Sequence, residues 1–214
     1  NINKYFWRKS EMTITIYDFS RHCAKEGDWS PALQYAGKIL SRVQEIHPEA
    51  TEGALFGPSK YVLAIEKLTG RSIKDLRILD LGCGASEVNS NTLRPRLDGD
   101  YKPWFCRAIH CLGGKIIGVD MGDLSQERFT AYNVDLSEPD SLKYILDQSI
   151  DVATAIAFFN SPSMPKRGFQ TIKTNILNQL ERIVVPEGFL LISSNLNQYV
   201  EQVFDERDIV GGNK

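Results

Sequence analysis

The sequence predicts an α/β protein built on a doubly wound, mostly parallel sheet with an N-terminal helical cap. Two observations carry this. After residue 76, short apolar runs alternate with helical stretches, the texture of parallel strands covered on both faces. Before it, apolar residues recur at helical spacing in two successive segments. The 214 residues therefore divide into a cap over 1–75 and an α/β core over 76–214, together one compact domain.

The opening NINKYFWRKSE lacks the apolar segment of a secretory signal, and Met12 can be read as an initiator behind an upstream extension. MTITIY (12–17) alternates like a short strand. From Ser30-Pro31 onward Ala36, Ile39, Leu40, Val43 and Ile46 line one helix face, and the pattern stops before Pro48. A second helix is read with Ser59 as its cap, Tyr61, Val62, Ile65 and Leu68 facing inward, and Gly70 as its stop.

The core strands are RILDL (77–81), KIIGVD (115–120), FTAYNVDL (129–136), DVATAIAFF (151–159) and FLLISS (189–194). Helices are expected over 103–112, 139–148 and 169–183, with Gly113-Gly114 and Pro186-Glu187-Gly188 as breaks. The polar stretch 86–101 is the one long loop inside the core, and the tail 195–210 reads as a helix.

Composition narrows the function classes. A formal net charge of -2 supplies no field for gathering nucleic acid, which favours a small-molecule substrate. No apolar run approaches the roughly 20 residues that cross a bilayer, so a soluble, cytoplasmic protein is expected. Four cysteines without a CxxC pair form no disulfide framework. Cys106, His110 and Cys111 cannot share a metal, because a helix sets positions i and i+5 about 140° apart.

The strongest local signal is DLGCGAS, residues 80–86, directly after an apolar strand. Gly82 and Gly84, flanking Cys83, let the backbone turn sharply and leave space beside it. Glu87 stands where a GxGxxG dinucleotide fingerprint requires its third glycine. Asp80 would repel a pyrophosphate but accept hydrogen bonds from a cationic amino group. Asp120 closes the second core strand, 40 positions after Asp80, where its carboxylate can take both hydroxyls of a ribose. Asp135 ends the third, where it can accept from an exocyclic amine while Leu136 covers an adenine face.

These residues resemble the class I, Rossmann-like S-adenosylmethionine-dependent methyltransferase family. Asp80, Gly82 and Gly84 match its E/DxGxGxG turn, with Ser86 in the third glycine's place. The resemblance covers roughly 77–194, and PEGFLLISS (186–194) is similar to the family's fifth strand and the turn before it. It implies that Asp80, Gly82, Cys83 and Gly84 hold the methionine portion of S-adenosylmethionine. Asp120 and Met121 would hold the ribose, and Asp135 and Leu136 the adenine. Ala157 or Phe158 would border the transferred methyl group, with no metal and with S-adenosylhomocysteine as product. The family closes its sheet with an antiparallel hairpin, whereas about 20 residues follow the fifth strand here, so the hairpin is absent, truncated or replaced.

No catalytic residue emerges. The loop FFNSPSMP (158–165) is faintly similar, through Asn160, to the D/N-P-P-aromatic motif of amino-group methyltransferases, but reads as a plain polar loop. His110 is read as a solvated or packed side chain rather than a base, Trp104 as core and Arg107 as a surface ion pair. The expectation is methyl transfer to a small molecule. The alternatives are a non-catalytic, methyltransferase-like binding module and an aminopropyltransferase, whose expected acidic side chains are missing from NSPSMP.

Overall fold

The computed structural model describes residues 3–9, 12–19, 28–86, 102–159 and 168–193. In chain order the elements are β1 (Asn3–Lys9), β2 (Met12–Asp18), α1 (Ser30–Gln44), α2 (Glu52–Thr69), a 3-10 turn (Ile73–Asp75), β3 (Arg77–Leu81), α3 (Trp104–Cys111), β4 (Lys115–Asp120), β5 (Thr130–Asn133), β6 (Ile150–Ile156), α4 (Phe169–Ile183) and β7 (Val184–Ser193). They fall into two compact units. One comprises Asn1–Glu26, Ile78–Gly82 and Val134–Lys214, the other Gly27–Arg77 and Cys83–Asn133.

In the first unit five strands lie in the order β1-β2-β7-β6-β3. β2 with β7, β7 with β6 and β6 with β3 pair in parallel, and β1 is antiparallel to β2. The buried runs Ile78–Leu79 in β3, Val152–Ala155 in β6 and Phe189–Ile192 in β7 are continuous rather than alternating, as strands covered on both faces require. Helix α4 packs against β2 and β7 and buries Ile172, Ile176, Leu177, Leu180 and Ile183. The chain leaves β3, passes through β4 and β5, and returns at β6 beside β3 before β7 is added beyond it. This is the expected Rossmann-like α/β fold with a mostly parallel sheet.

In the second unit β4 and β5 pair in parallel. Helices α1, α2 and α3 share a core of Ala36, Ile39, Val43, Leu55, Trp104 and Ala108. Helix α2 starts earlier than the sequence suggests. Thr51 caps it by accepting from the Ala54 N–H at 3.1 Å, so Pro58 and the buried Ser59 lie inside the helix rather than at its start. It ends, as expected, with Gly70 in the left-handed region at φ 64°.

Three further expectations change. Residues 1–75 do not form one helical cap: β1 and β2 join the first unit, and only the helices after them belong to the second. Residues 139–148 form turns instead of a helix. Asp140 and Gln148 have positive φ, and the carbonyls of Leu142 and Ile145 accept from the Arg182 guanidinium, each at 2.9 Å. The helix-like spacing of Leu142 and Ile145 instead buries two anchors of that turn. Finally, Pro186-Glu187-Gly188 is not a break before a strand but an irregularity within β7, where the register passes from Ile150↔Val184 to Val152↔Phe189. The loop 87–101 and the tail 195–210 lie outside the described residues. No helix among the described residues is long and apolar enough to cross a membrane.

A methyl group at Gly188 would lie 2.4 Å from Val184 Cγ1, 2.7 Å from the Asp151 carbonyl and 3.0 Å from the Val185 carbonyl. Two of these neighbours are backbone. Gly188→Ala is therefore expected to destabilise the fold by about 1–3 kcal/mol, read as a lower urea midpoint; an unchanged midpoint contradicts this packing.

Candidate functional site

The first unit holds Asp80, Gly82, Asp135, Leu136, Ala157 and Phe158. Asp80 stands opposite Thr154 in the β3–β6 register and is 2% exposed. The Thr154 hydroxyl donates to Asp80 Oδ1 at 2.6 Å, so a neutral strand residue is one of the partners of this buried carboxylate. Gly82 has φ 68°, and a Cβ there would lie 2.5 Å from Phe158 Cδ2. The glycine thus makes room for a ring of its own chain, where the sequence suggested room for a ligand. Ala157, one residue past β6, sits in the left-handed region at φ 54° while its N–H donates to the Ser193 carbonyl at 2.9 Å. Such a conformation is costly for a side-chain-bearing residue and places Phe158 edge-on to Phe159, with ring centroids 5.0 Å apart.

Asp135 and Leu136 lie beyond the end of β5, which is shorter than expected. Asp135 is exposed and its Oδ1 accepts from the Ser137 N–H at 2.8 Å, an Asx-type turn, while Leu136 is buried.

The second unit holds Cys83, Gly84, Asp120 and Met121, and here the structure joins two of the sequence signals directly. Gly84, at φ 98°, donates its N–H to Asp120 Oδ2 at 2.9 Å. Gly122 N–H donates to Asp120 Oδ1 at 2.8 Å. The Cys83 N–H donates to the Val119 carbonyl at 3.1 Å. Glycine is also required at 122, where a Cβ would fall 2.4 Å from Ala85 Cβ, and at 118, where it would meet both the Cys83 and Cys106 sulfurs. Met121 beside this carboxylate is 57% exposed, and the Asn133 side-chain amide secures the backbone there by donating to the Gly122 carbonyl at 2.6 Å.

The same turn continues into a buried polar network that sequence reasoning missed. Ser86 N–H donates to the Asp123 carbonyl at 2.8 Å, and its hydroxyl donates to Glu127 Oε1. Arg107 donates from Nε to Glu127 Oε2 at 3.0 Å and from Nη2 to Oε1 at 2.7 Å. Its Nη1 reaches Glu49 Oε1 at 3.0 Å, and Glu49 also accepts from Lys102. The Arg107 side chain is 5% exposed and Glu127 fully buried. The expected surface ion pair is thus a buried, bidentate one, with the guanidinium 4.8 Å above the Trp104 ring. Its carboxylates come from 58 and 20 positions away, so no local pattern could announce them. His110 is half-buried on α3, and residues 160–165 of the FFNSPSMP segment lie outside the described residues.

No protein-family profile and no curated protein sequence matches the chain. Among solved structures it is similar to a trans-methyltransferase, CalH, in complex with SAH, at 15% identity and a TM-score of 0.35 over 86% of this chain and 54% of that one. It is also similar to the CurJ carbon methyltransferase, at 15% identity and a TM-score of 0.38 over 86% of this chain and 52% of that one. The chain spans about half the length of these structures.

His47 lies edge-on to Trp104, and burial, then the nearby Arg107 guanidinium, hold its imidazole below the ordinary value. A lowered folded-state value means that stability is present in full above about pH 6.5 and is lost as pH falls through the folded value. Between neutral pH and about pH 5, His47→Gln should lose less unfolding free energy than the parent chain in denaturant titrations; parallel losses would contradict this.

Proposed function

We propose that this chain binds S-adenosylmethionine and transfers its methyl group to a small-molecule acceptor, releasing S-adenosylhomocysteine. The observation that carries the reading is the bond from the Gly84 amide to Asp120, which ties the glycine-rich turn to the acidic end of β4. An ionised carboxylate has about four acceptor positions. Each Asp120 oxygen uses one on a backbone amide, leaving one apiece for the two hydroxyls of a ribose.

The residues present fit the cofactor in other respects. Gly84 offers a turn without a side chain, exposed Met121 offers an apolar surface, and Asp135 is exposed to accept from an amine. On this reading Asp80, Cys83 and Gly84 serve the methionine portion, Asp120 and Met121 the ribose, and Asp135 and Leu136 the adenine, while Gly82 gives room to the Phe158 ring. Ala157 and Phe158 border the transferred methyl.

When bound, the cofactor supplies an electrophilic methyl on a sulfonium that leaves as a neutral thioether. The chain's own task is alignment and exclusion of water. Alignment alone offsets roughly 7–11 kcal/mol of barrier, which makes a dedicated base dispensable. On this reading the Phe158 ring, close beside Gly82, would serve to exclude water. The net charge of -2 favours a small acceptor over a nucleic acid, and we place the protein in the cytoplasm.

Calorimetric titration of the full chain with S-adenosylmethionine, S-adenosylhomocysteine and NAD tests this. The first two are expected to bind one to one and NAD not at all. Asp120→Ala should weaken both by at least about tenfold, the equivalent of one lost hydrogen bond to a charged group. Binding of NAD alone, no binding of any of the three, or unchanged affinity in Asp120→Ala overturns the assignment. Binding without turnover over a panel of amine, hydroxyl and carbon acceptors would favour the non-catalytic module.

A further inference from the structure

We infer that Ser86, Glu127 and Arg107 are positioning residues that latch the end of the glycine-rich turn to the helical layer and thereby set the affinity for the adenosyl ligand. The inference rests on the proposed function for its ligand and on geometry for the rest. Residues 83–86 have no regular secondary structure, and the conformation of this turn is held by bonds to the segment around β4's end. Cys83 is fixed to Val119, Gly84 to Asp120 and the Ser86 amide to Asp123. Those bonds hold its backbone. The Ser86 hydroxyl adds a side-chain link, donated to a carboxylate with no solvent exposure.

A carboxylate so buried is retained only where its charge is met, and Arg107 meets it with two parallel N–H donors. Arg107 belongs to α3 and also holds Glu49, in the connection between α1 and α2. The turn is thereby coupled to both parts of the helical layer through one guanidinium. The position of Ser86 is the third glycine's place in the motif the chain resembles. A glycine there could not make the link, so the hydroxyl does what backbone freedom cannot. Hydrogen bonds to charged groups are the stronger ones, and this one restrains a segment whose amides and φ angles must be held still for a ligand to be recognised.

The test uses the full chain, Ser86→Ala, which removes the hydroxyl and leaves the ion pair intact, and Ser86→Thr, which keeps the hydroxyl. Two readouts are taken: calorimetric affinity for S-adenosylhomocysteine, and amide hydrogen exchange at Gly84 and Ser86 in the unliganded protein. Ser86→Ala is expected to bind about tenfold more weakly and to exchange faster at both amides. Ser86→Thr should restore both readouts. Parent-like exchange in Ser86→Ala overturns the latch. So does parent-like affinity, or a loss of affinity that Ser86→Thr shares. If the parent chain itself binds no S-adenosylhomocysteine, the proposed function fails while the exchange comparison still decides the latch.

Discussion

A single carboxylate at the end of β4 carries the local geometry of the glycine-rich turn. Asp120 accepts one backbone N–H on each oxygen, from Gly84 on one side and Gly122 on the other. Both amides belong to residues without side chains, which is why the chain can approach so closely from two directions. Around this contact the turn needs no regular secondary structure. Its amides, which would be costly to leave unmet away from water, find partners in Val119, Asp120 and Asp123. On the proposed function, the groups that hold the turn are also the ones that would meet the cofactor.

The buried ion pair next to it has a different logic. Moving Arg107 and Glu127 out of water costs several kcal/mol for each ion, and their attraction only offsets that penalty when the geometry is good and the remaining donors are met. Bidentate contact, Glu49 and the Trp104 face supply those conditions. Such an arrangement adds little net stability over an apolar core. What it adds is a fixed relation between the turn, α3 and the connection before α2.

The legible parts of the fold were those governed by short-range patterns. β3 and β4 occupy the residues expected, because an apolar run closed by a polar group defines a covered strand on its own. α4 likewise spans 169–183 as read. Where side chains from distant elements intervene, local pattern misleads. Leu142 and Ile145 have helical spacing, yet Gln179 accepts the Leu142 amide and Arg182 takes the carbonyls that a helix would have used. Thr51 displaced Ser59 as a cap because it lies about two turns earlier with its hydroxyl placed to accept from the Ala54 N–H. At the candidate site, Gly84 and Asp120 were each visible in the sequence, but their direct bond across 36 positions was not. Phe158 at Gly82, Thr154 at Asp80 and both carboxylates of Arg107 are equally long-range facts.

On the proposed function Asp120 serves the turn and the ligand at once, with two acceptor positions taken by backbone amides and two left over. Backbone amide spectra of the isotopically labelled chain, recorded during addition of S-adenosylhomocysteine, read this most directly. The Gly84 and Gly122 resonances are predicted to shift in step with saturation, because hydroxyls arriving on the same carboxylate oxygens weaken the bonds those amides already make. Saturation that leaves both resonances in place would contradict the account, since the ligand would then be held somewhere other than at Asp120.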